Sequence, residues 1–472
     1  MNLIDILILG IAACLIGFIK HPIWRKYLTL AVSTLFLFLF QPASPIRHLV
    51  FWLPLGTLTI TTLSWFFLKF FKEVNLKQTF GTLVIPLLIV LIFLADRYLG
   101  FIPKIDIIQI PQFYGPIIFI LVLSLIAFLS LRLKQSRSTL VISILIIILI
   151  FLKSPLLSNY LSLVLRGFNG QATANASALD FRWLGFSYIA FRIIHAARER
   201  QLGKLQGISL ADYINYVIFF PSLAAGPIDK LDHFTREVNQ PFTLTWDAFG
   251  DGANRIILGI FKKFILADGL ALMAINNSNS LQIHSTGWLW FALYAYSLQI
   301  YFDFSGYTDV AIGLALWMGI RLPENFSTPY LKPNLTQFWN NWHMTLTQWF
   351  RSYVFNPLTR FLRSRGKPLP VYLVILTTQL VTMVLIGLWH GITINFILWG
   401  AWHGIGLFIH NRWSNRINPR LQDWATTATR QRLLAISSGF LTFNYVTLGW
   451  TFFTLNNPQL TWQVLQRLVG VG

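Results

Sequence analysis

Apolar residues in this chain arrive in long unbroken runs, and in its first third the polar residues fall almost entirely between them. Ile105–Leu131 is one such run, and Thr139–Leu152, with ILIIILIFL near its end, is another. A helix crossing the hydrocarbon core of a bilayer needs roughly 20 residues of this kind. By that rule the chain holds about eleven to thirteen spans, four of them in residues 1–100, separated by short basic or Pro-containing turns. The expected fold class is all-α: a polytopic membrane protein with short amphipathic or re-entrant helices added. The first run, Ile4–Ile19, has no basic stretch before it and no small-residue cleavage site after it. It reads as a retained helix and not as a removed signal peptide.

The pattern changes from Asp180 onward, where polar and charged residues enter the apolar runs. Polar groups at membrane depth are costly and usually face a cavity or the bundle interior. Residues 180 onward are therefore expected to do the chemistry. Between Leu335 and Val354, apolar residues recur at 335, 338, 339, 342, 346, 349, 350 and 353, with Gln337, Asn341, Gln348 and Arg351 opposite. That spacing predicts one amphipathic helix over 334–354, rich in Trp, lying in the interface or lining a cavity without crossing the bilayer. Phe219–Asp229 (FFPSLAAGPID) reads as a helix end with loop or re-entrant geometry set by Pro221, Gly226 and Pro227. Gly366–Pro370 reads as a turn before a helix over Val371–Leu388, and residues 411–433 as a basic loop before a last segment, Leu434–Phe453. No period of 20–50 residues repeats, which argues against a solenoid. No matched pair of interrupted helices suggests an inverted-repeat transporter.

Composition agrees with the class. Of 472 residues, 55% are hydrophobic and 11% charged, against about 25% charged in soluble domains. The net charge of +20 could suggest nucleic acid, but basic residues of membrane proteins collect in cytoplasmic loops. Lys20, Arg25 and Lys26 fall in the first loop, Arg47 in the second, Lys69, Lys72 and Lys77 in the third, Arg97 and Lys104 in the fourth, and Arg132, Lys134 and Arg137 in the fifth. The heavier loops alternate, placing the N-terminus outside and loops one, three and five in the cytoplasm. The single cysteine, Cys14, excludes an intrachain disulfide and a Cys-based metal site.

Three groups of residues could carry chemistry. Trp389-His390-Gly391 closes one apolar run, and Trp402-His403-Gly404 repeats the tripeptide thirteen residues on. On an uninterrupted helix the two rings would stand about 220° apart, so no common metal site is expected. Asp303 and Asp309 lie in an apolar setting, as proton carriers or as a structural network with Arg192 or Arg182. His343 sits at the edge of the amphipathic stripe. Alone, each histidine is as well explained as a hydrogen-bonded core residue.

Taken together the motifs resemble the membrane-bound O-acyltransferase family, in particular its bacterial branch of alginate O-acetylases and teichoic-acid D-alanyl transferases. The matching pieces are SLAAGPID, SLQIYFDFSGYTDVAIG, NFSTPYLKPNLTQFWNNWHMTLTQWF and GLWHGITINFILWGAWHG, in the family's order from about Phe181 to about His410. The resemblance implies accessory helices over 1–100 and an acyltransferase core over 101–460, built around a central tunnel. It implies that His390 is the essential histidine and His343 the second, forty-seven residues earlier. Trp339, Trp342, Asn340, Asn341, Trp389 and Asn395 are then the expected tunnel or substrate residues, with Asp303, Asp309 and His403 structural. It implies no bound cofactor or metal, and an acyl thioester co-substrate, acyl-CoA or an acyl-carrier protein. The expected acceptor is a polysaccharide, reached with or without a partner acyltransferase outside the cytoplasm, and the expected location the bacterial inner membrane. Three positions depart from the family: Asn340-Asn341 where an arginine is usual, Ser352 where aspartate is common, and Ile394 where an aromatic is common. FSGYTDVAIG looks like the alginate type, AGPID and GLWHGIT like the D-alanyl type.

The implied chemistry is acyl transfer, of acetyl in first place, with D-alanyl transfer as the alternative. His390 would take the proton of an acceptor hydroxyl in a ternary complex. Cys14 lies too far along the chain for a covalent intermediate; Ser305 and Ser352 stay open as covalent nucleophiles but lack the context of a nucleophile elbow, so direct transfer is the expected course. A secondary transporter using Asp303 and Asp309, or a scaffold for envelope proteins, competes with this reading. Five arginines in 411–433 (Arg412, Arg416, Arg420, Arg430 and Arg432) place that segment in the cytoplasm. A cysteine introduced at position 414 should resist an impermeant thiol reagent applied to intact cells; labelling from outside would reverse the topology.

Overall fold

The computed structural model describes residues 2–68, 70, 76–99, 110–112, 115–116, 137–364, 369–455 and 457–471. Nearly all of the run Ile105–Leu131, most of the turn Gly366–Pro370, and Lys69, Lys72, Lys104, Arg132 and Lys134 lie outside the described residues. The described chain is helical throughout, without a strand. It falls into two compact units: residues 1–257 with 309–323, and residues 258–308 with 324–472.

In the first unit the apolar runs become α1 (Leu3–Gly17), α2 (Pro22–Leu39), α3 (Leu49–Phe67), α4 (Leu76–Leu99), α5 (Arg137–Lys153) and α6 (Pro155–Phe168). Then follow α7 (Phe186–Gln201), α8 (Leu210–Ile218), α9 (Leu231–Asn239) and most of α10 (Trp246–Ile260). Arg25 and Lys26 do not lie in a loop. They sit in the first turn of α2, where Arg25 is 1% exposed and donates to the Val238 and Gln240 carbonyls, and Lys26 pairs with Asp212 at 3.1 Å. Both charges serve packing.

FFPSLAAGPID is the irregular connection between α8 and α9, buried along nearly all its length. Buried Arg192 satisfies carbonyls on either side of the bend, donating to that of Val217 in the last turn of α8 and to that of Ser222 in the connection, at 2.9 and 2.8 Å. The Tyr216 hydroxyl donates to the Asp229 carbonyl at 2.9 Å. The chain doubles back so tightly that a Cβ at Gly226 would lie 2.4 Å from the Ser222 Cβ. This answers the demand that buried backbone polar groups be paired, and it gives Arg192 a role at this bend.

The second unit holds a π-helical segment, Phe261–Ala267, then α11 (Asp268–Ala271) and residues 286–308 of the long α12 (Thr286–Trp317). It continues through α13 (Leu335–Asn341), α14 (Met344–Phe350), a second π-helical segment (Arg351–Phe355), α15 (Asn356–Arg363) and α16 (Val371–His390). It ends with α17 (Ile394–Trp424), α18 (Ala428–Thr454) and α19 (Pro458–Leu468). Residues 411–433 are therefore mostly helix, as α17 and α18 extend to a short link at 425–427. No helix breaker stands in that stretch except Pro419, and the arginines are good helix formers.

Among the described residues, four helices (Leu49–Phe67, Lys77–Asp96, Val371–His390, Ala428–Thr454) are long and apolar enough to cross a membrane, and the pair Arg137–Lys153 and Pro155–Phe168, bent by 90°, makes a fifth if it is one span. The chain is an all-helical, polytopic membrane protein.

α16 and α17 pack as an antiparallel hairpin, and the glycines of the WGAWHG stretch explain how closely. A Cβ at Gly400 would meet the Met383 carbonyl oxygen at 2.5 Å, and one at Gly404 the Leu380 Cα at 2.8 Å. Without a hydrophobic drive between helices in lipid, such small-residue contacts hold spans together. Gly400→Val should destabilise the protein by about 1–3 kcal/mol through overpacking. Gly81→Ala in α4, where nothing lies within 4 Å, should leave it unchanged or slightly better. Thermal unfolding of the detergent-solubilised variants checks the pair, and equal midpoints would remove the close-packing account.

Candidate active site

The helix expected over 334–354 is broken. α13 ends at Asn341, Trp342 is extended, and His343 takes a left-handed conformation with φ 42°. The stripe of apolar residues cannot reveal this, because its spacing runs on through the break. The cause is tertiary. The Asn325 carbonyl accepts from the Met344 N–H at 2.9 Å, and its side-chain oxygen accepts from the Thr345 hydroxyl at 2.6 Å and the Thr345 N–H at 3.3 Å. On the other side of the break, Ser327 N–H donates to the Asn341 carbonyl at 3.1 Å. The segment around 325–327 thus supplies the partners that an unbroken helix would have supplied itself. Histidine in this backbone region is uncommon, and such strain concentrates at functional positions.

The break also turns two side chains inward. Trp342 is buried among Phe326, Tyr330, Phe338 and Trp450, with ring centroids 5.2–5.6 Å away. His343 is 3% exposed, and its ring meets Phe304 at 4.6 Å and Trp389 at 6.3 Å.

A second break separates α16 from α17. Gly391 is extended, and Thr393 caps α17 with its hydroxyl accepting from Phe396 N–H at 3.5 Å. The uninterrupted helix that would point His390 and His403 to different sides does not exist. After the turn both rings contact one indole: Trp399 lies 5.7 Å from His390 and 5.0 Å from His403. His390 is half-buried and is boxed by Trp389, Phe396 and Phe453 at 4.5, 5.8 and 4.8 Å. Trp389 touches both His390 and His343, so the structure gathers the two candidate catalytic histidines around one indole.

A cavity of about 310 Å³ has Trp339, Asn340, Arg351, Gln379, Met383 and Ile386 in its wall, and neither histidine nor Trp389 is among its lining residues. On α16, positions 379, 383 and 386 share a face with 390 at 100° per residue. The π-helical turn places Arg351 in the wall, and its guanidinium donates to the Asn340 side-chain oxygen at 2.5 Å. π-Turns are rare and often mark functional positions.

Of the residues expected to line a tunnel, Trp339 and Asn340 line this cavity. Trp342 belongs to the aromatic core, and Asn341 donates to the Gln337 carbonyl at 2.7 Å. Asn395 is 3% exposed and donates to the Leu455 carbonyl and to the Thr461 hydroxyl. It pins the link between α18 and α19 and is no part of the wall. Gln379 and Arg351 carried no signal as cavity residues, because only the fold brings α13, α16 and the π-turn together.

The two aspartates have partners other than those expected. Asp303 pairs with Lys263 of the first π-turn, and Asp309 with Arg255 at 2.7 Å. The intervening glycines serve close packing: a Cβ at Gly306 would lie 2.7 Å from the Gly259 carbonyl oxygen, and one at Gly313 2.6 Å from that of Gly252. FSGYTDVAIG is thus accounted for by packing and ion pairs. Among the described residues no group of three or more His, Cys, Asp or Glu could hold a metal ion.

A model of the membrane-bound O-acyltransferase family matches residues 55–453. The chain is 35% identical over 293 residues to the probable alginate O-acetylase AlgI of Pseudomonas aeruginosa, covering 61% of this chain and 52% of that protein. It is 36% identical over 266 residues to the peptidoglycan O-acetyltransferase of Helicobacter pylori, 55% of this chain and 47% of that one. With the teichoic acid D-alanyltransferase of Bacillus subtilis it shares 29% identity over 278 residues, 58% of this chain and 68% of that one. The chain spans about half the length of the O-acetylating relatives it matches. It belongs to the membrane-bound O-acyltransferase family.

Asn325→Leu should leave the Thr345 hydroxyl and N–H without their acceptor, costing about 1–3 kcal/mol for a buried donor left unmade. A lower unfolding midpoint is expected; an unchanged one would mean that Asn325 does not hold the break.

Proposed function

We propose that this membrane-bound O-acyltransferase moves an acyl group, acetyl in first place, from a thioester donor to a hydroxyl of an envelope or exported polysaccharide, with His390 as general base. The observation that carries the reading is the meeting of His390 and His343 around Trp389, on a helix α16 whose residues Gln379, Met383 and Ile386, on the face of His390, line a cavity. Relatives named as acetylating alginate or peptidoglycan, or as D-alanylating teichoic acid, support an envelope polymer as acceptor.

In the proposed step a lone pair of the hydroxyl oxygen attacks the thioester carbonyl carbon. His390 takes the hydroxyl proton as the new C–O bond forms. The C–S bond then breaks, and the proton passes from the imidazolium to the departing sulfur, so that ester and free thiol leave a histidine ready for the next cycle. The aromatic box keeps water from competing for the acyl group. His343, on the other side of Trp389, orients that indole and donor or acceptor with it.

The cavity fits the donor. At about 310 Å³ it is at the small end of ligand sites, sized for an acyl chain or a thioester arm and not for a stretch of polymer. Arg351 in its wall suits a phosphate of a donor carrier. Both donor kinds, acyl-CoA and an acyl-carrier protein, share that arm, and the location that gives access to either is the inner membrane with the donor side in the cytoplasm.

His390→Ala should lower turnover by on the order of 10²–10⁴-fold, the usual contribution of a positioned acid or base. Donor binding should change little, since the ring acts chiefly in the transition state. His343→Ala should cost less. The purified variant assayed with thioester donor and polysaccharide decides this, and near-normal transfer would remove the assignment. Mass spectrometry of envelope polymers with and without the gene identifies the acyl group; an alanyl ester in place of acetyl would shift the reading to D-alanyl transfer. Greater loss in Asp303→Asn and Asp309→Asn than in His390→Ala would favour transport.

A further inference from the structure

Buried polar atoms in proteins nearly always find a hydrogen-bond partner, and those that do not call for an explanation. Four nitrogens on three touching rings of this chain find none among the described residues: both of His403, the indole nitrogen of Trp339 and that of Trp399. His403 is 0% exposed. Its ring stands at 88° to Trp339 and 65° to Trp399, each with centroids 5.0 Å away. Perpendicular rings at this separation set the positive edge of one against the negative face of the other, and an imidazole N–H edge makes that contact stronger than a C–H edge does.

Space is reserved for the imidazole as well. A Cβ on Gly449 would come within 2.8 Å of the His403 Nε2. The two indoles that flank His403 differ in what lies beyond them: Trp339 lines the cavity, and Trp399 walls His390 at 5.7 Å. His403 is not itself among the residues lining the cavity.

We infer that His403 is a positioning residue of the transfer site, wedged between Trp339 and Trp399 so that the indole against the general base and the indole against the donor cavity hold fixed places. This rests on the proposed role of His390. An imidazole deep in an aromatic nest serves here as a rigid wedge with a polar edge, for which an aliphatic side chain offers neither the edge nor the fit.

The test is a double-mutant cycle in the purified full chain, with turnover and donor KM measured for His403→Leu, His403→Phe, Trp399→Phe and the double variant His403→Leu/Trp399→Phe. His403→Leu should lower kcat by about 10- to 100-fold, the scale of a small misplacement of a catalytic group. KM for the donor should stay within about twofold, because the contact to His390 is used in the transition state. His403→Phe, which keeps a ring edge, should recover part of the loss. Because His403 acts through Trp399, the double variant should turn over no more slowly than the slower single variant, within about twofold, as expected for residues that act as a unit. A loss that multiplies across the two sites, or a well-folded His403→Leu protein with normal kcat, would overturn the inference. His403→Ala and His403→Asn serve if the leucine variant fails to fold, with the same outcomes required. His390→Ala run alongside separates the two claims: if it is inactive while His403→Leu is normal, the wedge fails and the base stands. If His390→Ala is active, the base fails and the role of His403 fails with it.

Discussion

A helix that breaks inside an apolar bundle frees backbone N–H and C=O groups that no water is there to satisfy, so every break must bring its own partners. The second unit of this chain is organised by two such breaks. At Trp342 and His343 the partners come from Asn325 and Ser327; at Gly391 to Thr393 they come from the turn itself and from the Thr393 cap. Each break places a histidine at a helix end, His343 ahead of α14 and His390 closing α16, and turns that ring into an aromatic core. Without them His343 would ride on a surface stripe, and His390 and His403 would face apart.

The same requirement accounts for the charged residues in the apolar runs. Arg25 and Arg192 are spent on carbonyls at helix ends, and Asp180 takes Arg166 at 2.9 Å and the Ser162 hydroxyl at 2.5 Å. Asp303 and Asp309 each hold a cation of the preceding segment. With these assigned to architecture, His343 and His390 remain as the histidines that meet around one indole. The packing glycines, 400 and 404 on α17 and 306 and 313 on α12, let the backbones come close enough for rings on neighbouring helices to meet.

How much of this was legible in the sequence depended on the range of the interactions. Apolar run lengths gave the class, the four helices of residues 1–100 and the limits of α1 to within a few residues, because burial in lipid reads composition directly. The break at 391–393 was also written locally, in a glycine followed by a threonine at a cap position; treating the helix as continuous hid it. The break at 342–343 was not written locally, since its cause is an asparagine seventeen residues upstream whose partner is fixed only by the fold. The same holds for the partners of Asp303 and Asp309, for the helical course of 411–424, and for Gln379 and Arg351 in the cavity wall. Motif resemblance pointed to His390 and His343 as a pair, and the geometry supplied the indole that joins them.

The most direct test of the central claim is a cryo-electron-microscopy structure of the full chain in a nanodisc with a non-hydrolysable thioester analogue bound. The account predicts the arm of the analogue in the cavity walled by Trp339, Gln379 and Arg351, and its carbonyl carbon at the meeting of His390, Trp389 and His343. It further predicts space on that carbon for an incoming hydroxyl within about 2.6–3.2 Å of the His390 ring, directly or through one water. A carbonyl seated elsewhere, for example beside Asp303 or Asp309, with His390 packed away from it, would contradict the account.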